Sequence, residues 1–326
     1  MTPAPVFLFS APRAGSTWLQ RLIGSHPDVC TLNEPWFLLP LIYMRRRRGI
    51  SSEYWQDTCG KAVNELIDRL DGGEEVFDAG VRAFAGTVHR AAAHRGERYF
   101  LDKTPRYALI VDDIERIFPD AKLIFLWRNP LSIISSMIEM SGDRWLVPRF
   151  DIDLIEGIPR LVDTAERLGE RALCVRYEDL LEDRDAVLRR TFDHLGLPFD
   201  PTVLNANRSG VAPGLMGDAK SGSMDGLATD RQLGGWHQRL SGPLRRRWAR
   251  RYLDGLGPRR LAFMGYDAAD LDLDLADGRC PPRQWLGDLA CRAYSATFHS
   301  LHAEYPLKRM AMRWAGRERG RQFGMI

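Results

Sequence analysis

Lysine is scarce in this chain: of 46 basic residues only five are lysine, namely Lys61, Lys103, Lys122, Lys220 and Lys308. The arginine excess accompanies abundant alanine and glycine, a composition of GC-rich genomes, and carries little functional weight. Against 43 acidic residues it leaves a formal net charge of only +3, too small to argue for nucleic-acid binding. The five cysteines (Cys30, Cys59, Cys174, Cys280, Cys291) form no CxxC pair and no metal-ligand spacing. A scattered, odd set of this kind fits reduced thiols in a cytoplasm. Long apolar runs are missing too. The longest, Trp36–Met44, is about half the ~20 residues a membrane span needs, and Pro40 interrupts it. A first strand beginning at about Val6 leaves no room for a signal peptide or N-terminal anchor, so a soluble, cytoplasmic protein is expected.

What is present is ordinary for a globular protein: 326 residues, 44% hydrophobic and 27% charged, enough for one large α/β domain with additions. Short apolar runs at Val6–Phe9, Tyr99–Leu101, Leu123–Trp127 and Leu173–Tyr177 alternate with helical patterns. This predicts βαβ units and a parallel sheet buried on both faces. Helices are expected at Thr17–Ser25, Ser52–Leu70, Glu75–His94, Tyr107–Ile117, Leu131–Met140, Leu154–Leu168, Tyr177–Leu195 and Gly242–Leu256. Residues 205–233 read as a long loop rich in Gly, Ser, Asp and Asn. An acidic spacer, Asp267–Asp277, leads to Pro281-Pro282 and a last helical stretch, Arg283–Trp314. The domain is placed at residues 1–268, with a mainly helical extension at 269–326 packed on it.

Two segments carry chemistry. Val6–Trp18 reads VFLFSAPRAGSTW: a strand, a glycine-containing loop and a helix start, where backbone N–H groups and a helix dipole converge on a phosphate. Against the ATP-loop pattern G-x-x-x-x-G-K-[ST], Gly15 and Thr17 fall in place, but Ser10 stands for the first glycine and Ser16 for the lysine. The anion cradle is kept and the ATP signature lost. Lys122–Met137 is a second strand–turn–helix, with Arg128 at the strand end and Pro130 in the first helical turn. Arg128 and Ser136, eight residues apart, can both reach one phosphate. A nucleotide with separate 5′ and 3′ groups fits two such sites in one sheet.

With these residues the chain resembles the sulfotransferases that use 3′-phosphoadenosine 5′-phosphosulfate (PAPS). P-R-A-G-S-T-W looks like their 5′-phosphosulfate loop and R-N-P-x5-S like their 3′-phosphate motif. His26-Pro-Asp-Val with Glu34, Leu101-Asp-Lys-Thr-Pro105, Val175-Arg-Tyr-Glu-Asp-Leu180 and a late stretch around Lys220 and Trp236 agree in order. The likeness covers about residues 5–268 and is nearest to the bacterial and Golgi-type branch of protein-tyrosine and carbohydrate enzymes. It implies a three-layer α/β fold similar to nucleotide kinases. It also implies nucleotide contacts from Arg13, Ala14, Gly15, Ser16, Thr17, Trp18, Arg128, Ser136, Tyr177, Lys220 and Ser221. Glu34 takes the place of the general base, while Lys103 and Arg13 stabilise the sulfuryl group and leaving phosphate; adenosine 3′,5′-bisphosphate (PAP) is the product. Cytosolic relatives carry a catalytic histidine two residues after this lysine, where Pro105 stands here, so the base falls to Glu34. His89 and His94 are read as exposed or core-lining, and Arg106 as a further acceptor or phosphate ligand.

No metal is implied. The acceptor class spans small molecules, glycans, lipids and peptides, and the apolar segment beside Glu34 suggests an acceptor with an apolar portion. Arg45–Arg48 reads as a solvated face, or as recognition of an anionic acceptor or membrane surface. The basic stretch Lys308–Arg321 reads as core packing, or as an interfacial or oligomer-forming helix. Two rivals stay open: an ATP-dependent kinase on the same fold, and a PAP-binding module that has lost catalysis.

Overall fold

The computed structural model describes residues 2–50, 52, 54–204, 236–274 and 285–291. The four apolar runs are strands, and a fifth, three-residue strand joins them. In chain order the strands are β1 (Ala4–Ser10), β2 (Val29–Thr31), β3 (Tyr99–Asp102), β4 (Lys122–Trp127) and β5 (Ala172–Arg176). They lie side by side as β2-β3-β1-β4-β5, and every pairing is parallel.

The helices are α1 (Ser16–Ile23), α2 (Leu38–Tyr43), α3 (Gln56–Arg69), α4 (Gly73–Ala92), α5 (Val111–Ile117) and α6 (Pro130–Met140). Then come α7 (Ile158–Leu168), α8 (Tyr177–Glu182), α9 (Arg184–Leu195), α10 (Trp236–Leu240) and α11 (Pro243–Phe263).

Strand alternation sends neighbours to opposite faces. Val6 and Leu8 pack with Leu19 and Leu22 of α1 and Leu188 and Phe192 of α9. Phe7 and Phe9 pack with Ile114 of α5, Ile134 of α6 and Leu161 of α7. Helices therefore cover both faces, as a parallel sheet requires.

Several helices differ from the sequence pattern, each for a local reason. The expected Tyr107–Ile117 helix starts as a 3₁₀ turn at Pro105–Ile110, and Leu154–Leu168 starts as a π-helical turn at Ile152–Gly157. Tyr177–Leu195 breaks in two at Asp183, whose carboxylate accepts from Ala186 N at 3.0 Å and caps the second half. Ser52–Leu70 begins only at Gln56. The Arg45–Arg48 run follows α2 rather than forming a solvated helix face. Arg45 pairs with Glu74, Arg46 with Asp113 and Arg47 with Asp57, at 2.6–2.7 Å. Asp288 meets the buried Arg245 of α11 in a two-pronged pair at 2.7 Å. Lys308–Arg321 lies outside the described residues. Among the described residues the cysteines are free, and no helix is long and apolar enough to cross a membrane.

His89 of α4 is buried against Phe100 of β3, ring centroids 4.2 Å apart. Burial pushes its imidazole down from 6.5 to about 4. The unfolded chain thus binds a proton that the native state refuses. The stabilisation is whole above pH 6.5 and is lost as pH falls toward 4, about 3 kcal/mol at ~1.4 kcal/mol per pH unit. Urea unfolding across this range is expected to show a shallower acid limb for His89→Phe; an unchanged slope would assign the limb to other groups.

Candidate active site

The carboxyl ends of β1, β3, β4 and β5 meet where the strand order switches direction around β1, the place at which open α/β sheets collect ligands. After Ser10 the chain turns through two left-handed residues, Arg13 (φ +69°) and Gly15 (φ +92°), into α1. Gly15 is the helix N-cap, no side chain caps it, and the first turn carries no acidic residue. An uncapped amino-terminal turn directs N–H groups and positive dipole at an anion. Ser16 and Thr17 therefore do not serve as the plain N-cap. Ala14, Ser16 and Trp18 are buried beneath the loop.

Three of the expected nucleotide residues form a chain of contacts. Arg128 at the end of β4 donates from Nη1 to the Arg13 carbonyl at 2.8 Å. Arg13 Nε in turn donates to Ser136 Oγ on α6 at 3.1 Å. The guanidinium of Arg128 also lies 4.5 Å from the centroid of the Tyr177 ring, whose other neighbour is Trp18, edge-on at 6.1 Å. Burial pushes the Arg128 guanidinium down from its usual range, yet an arginine stays charged there.

On the other side of α1, Lys103 follows β3 with its side chain buried. Its Nζ donates to Glu34 Oε1 at 2.8 Å and to Thr17 Oγ1 at 3.3 Å. The ammonium thus faces Glu34 and Thr17 rather than its neighbour Asp102. Glu34 is fixed a second time by the Trp36 indole, which donates to Oε2 at 3.1 Å. The segment leading to it is held by Gln20 of α1, which donates to Thr31 Oγ1 and the Leu32 carbonyl at 2.7 and 2.8 Å.

Arg106 is gripped by the buried Asp153 at 2.7 and 3.0 Å, so its charge is already matched. Trp236 is buried in the core. Lys220 and Ser221 lie outside the described residues. Among the described residues no group of three or more His, Cys, Asp or Glu side chains is arranged to hold a metal ion.

Sequence reasoning missed the contacts that frame the site. Asn129 caps α6, its Oδ1 accepting from Leu131 N and Ser132 N at 2.9 and 3.3 Å; an Asn before Pro at a strand end was the available signal. Glu178 accepts from Asn129 N at 3.0 Å and from the Tyr266 hydroxyl at 2.7 Å. It joins the ends of β4 and β5 to the chain beyond α11, a contact that no local pattern announces.

A Cβ at Gly15 would lie 2.4 Å from the Tyr177 ring, and at φ +92°. Gly15→Ala is therefore expected to cost about 2 kcal/mol or more in denaturant unfolding. In a Tyr177→Ala background only the conformational part, about 1 kcal/mol, should remain. Equal costs in both backgrounds would show that the ring is not the obstacle.

Comparison with known proteins places the chain among relatives of one kind. The chain is 30% identical over 229 residues to the nodulation protein NoeE of Sinorhizobium fredii, covering 62% of this chain and 52% of that one. It is 24% identical over 209 residues to protein-tyrosine sulfotransferase A of Caenorhabditis elegans, covering 61% and 52%. The alignments thus span about half the length of these curated relatives. Among solved structures it matches the sulfotransferase domain of the Synechococcus PCC 7002 olefin synthase, with TM-score 0.49 and 23% identity over 72% of this chain and 88% of that one. The model of the sulfotransferase family matches residues 5–201, and the chain belongs to that family.

Proposed function

We propose that this protein moves a sulfuryl group from PAPS to an acceptor hydroxyl, or alternatively an amine, by in-line displacement. The observation that carries this reading is the pair of cationic groups flanking the uncapped start of α1. Lys103 lies beside Thr17 and Glu34 on one side; Arg128, Arg13 and Ser136 are linked on the other. A nucleotide with phosphate groups at both ends of its ribose matches that division. Ser16, in the place of the ATP-loop lysine, disfavours a triphosphate.

In this reading Gly15, Ser16 and Thr17 hold the 5′-phosphosulfate, Arg128 and Ser136 bind the 3′-phosphate, and Tyr177 and Trp18 border the nucleotide. The family likeness adds Lys220 and Ser221 to the nucleotide-binding residues. Glu34 takes the proton of the acceptor as its oxygen bonds to sulfur. The bond from sulfur to the 5′-phosphate oxygen breaks, and that oxygen leaves with the electron pair. Lys103 and Arg13 offset the charge developing there, fixed cations needing no reorganisation as the reaction proceeds. The tyrosine in one relative's name and the apolar segment beside Glu34 favour an acceptor with an apolar portion, and residues 269–326 act as an extension of the catalytic domain.

Calorimetry with PAP and with ATP–Mg²⁺ tests the donor assignment. Micromolar PAP binding is expected, much tighter than ATP. Arg128→Ala should weaken it about 10- to 100-fold, the worth of lost charge-assisted hydrogen bonds. Equal ATP binding, or indifference to Arg128→Ala, overturns the reading. Glu34→Gln should keep PAP affinity and slow PAP release from PAPS by about 10²–10⁴-fold, measured over a panel of tyrosyl peptides, glycans and lipids.

A further inference from the structure

Asp102 is a carboxylate at the carboxyl end of β3, 1% exposed, in register with Phe7 of β1. Burial of this kind is costly unless the group is paired. Its neighbour Lys103 does not bond to it, because successive strand residues point to opposite faces and the ammonium is engaged by Glu34 and Thr17. Two hydroxyls reach Asp102 instead. Thr104 Oγ1 donates to Oδ1 at 3.5 Å and the Tyr107 hydroxyl donates to Oδ2 at 3.3 Å.

Each hydroxyl also accepts a backbone N–H from the segment that carries Glu34. Trp36 N donates to Thr104 Oγ1 and Leu38 N to the Tyr107 hydroxyl, both at 3.4 Å. Between those two anchors the chain passes through Trp36 in a left-handed conformation, φ +56°, which a tryptophan holds only when its surroundings over-determine it. The same Trp36 presents its indole to Glu34.

We infer that Asp102 is a positioning residue for the reaction. Through Thr104 and Tyr107 it clamps the Trp36–Leu38 backbone and so sets where Glu34 stands relative to Lys103. The inference rests on Glu34 acting as the base. An apolar side chain would fill the same space without the cost of a buried charge, but it would leave both hydroxyl relays without an acceptor.

The relay matches the ionised carboxylate, which accepts from both hydroxyls while each hydroxyl accepts an N–H. A proton on Asp102 must be given to one of them, whose own hydrogen then turns away. Lys103 is the charged group acting on Asp102, and Tyr107 the titratable one; Phe7 and Leu38, from the elements packed against it, bring no charge. Burial raises the Asp102 carboxyl to about 7 and the Tyr107 phenol upward as well. The clamp therefore tightens as pH rises through neutrality.

The test uses full-length protein carrying ¹⁵N-tryptophan, with the Trp36 signals assigned by Trp36→Phe. The Trp36 indole and backbone N–H resonances are expected to titrate with a midpoint of about 7, as burial of Asp102 implies. Asp102→Asn should abolish that titration, leave PAP affinity unchanged and slow turnover about tenfold through kcat rather than the KM for PAPS. Thr104→Val should speed exchange of the Trp36 amide about tenfold or more, and Tyr107→Phe that of Leu38. These two variants keep the inference testable if Asp102→Asn does not fold. Absence of titration in the wild type, its persistence in Asp102→Asn, or unchanged amide exchange in both hydroxyl variants overturns the clamp. Wild-type turnover by Glu34→Gln overturns the base assignment alone, since the resonances of Trp36 report the clamp without it.

Discussion

The placement of β1 between β3 and β4 in a sheet whose strands all run the same way is the constraint on which the rest depends. Parallel strands put every carboxyl end on one edge, and the change of direction around β1 opens a crevice there. The loop after β1, Lys103 after β3, Arg128 after β4 and Tyr177 after β5 are brought within reach of α1 by that topology alone. No two of these groups are near neighbours in sequence; Arg13 and Ser136 stand 123 residues apart and share a hydrogen bond. Loss of the central strand would scatter the site before any of its side chains was touched.

Around that edge the protein buries or half-buries several ionisable groups and treats each differently. Lys103 and Glu34 neutralise one another in a short pair, so neither is stranded in low dielectric. Arg128 has carbonyl and aromatic company: the Arg13 oxygen takes one N–H and the Tyr177 ring lies near the guanidinium. Asp102 has hydroxyls only, and its carboxyl is the one pushed to about 7. Removing one partner of a buried pair costs more than the pair contributes, because the remaining charge is left uncompensated. Substitutions at Glu34 and Lys103 therefore act on the fold in their own right, and charge-preserving or isosteric changes are the informative ones.

Much of this was legible in the chain. The runs that became β1, β3, β4 and β5 are continuous and apolar because parallel strands are covered on both faces, and their ends carry the residues read as ligands: Arg13, Lys103, Arg128, Tyr177. β2 escaped because Val29–Thr31 is only three residues long and is held by pairing to β3 and by Gln20, partners remote in sequence. α2 escaped because Leu38–Tyr43 contains Pro40 and is almost wholly apolar, without the amphipathic stripe that marks a helix. The break at Asp183 was written in the sequence as a capping residue but was outweighed by the longer periodic pattern. The part of Asp102 was not legible, since a strand-end aspartate beside a lysine reads as its salt-bridge partner until the side chains are seen to diverge.

Two non-glycine residues near the site adopt left-handed backbone, Arg13 and Trp36. Such conformations cost about 1–3 kcal/mol each and persist only where neighbours enforce them. Arg13 is held by its side chain on Ser136 and its carbonyl under Arg128; Trp36 is held by its amide on Thr104 and its indole on Glu34. In both cases the groups that hold the backbone also belong to the site or touch it. Side-chain placement and backbone strain are therefore one problem here, and losing a holding contact lets the backbone relax as well as removing a hydrogen bond. A conservative replacement such as Arg128→Lys, which keeps the charge but not the planar fork directed at the Arg13 carbonyl, acts on the loop conformation through that same contact.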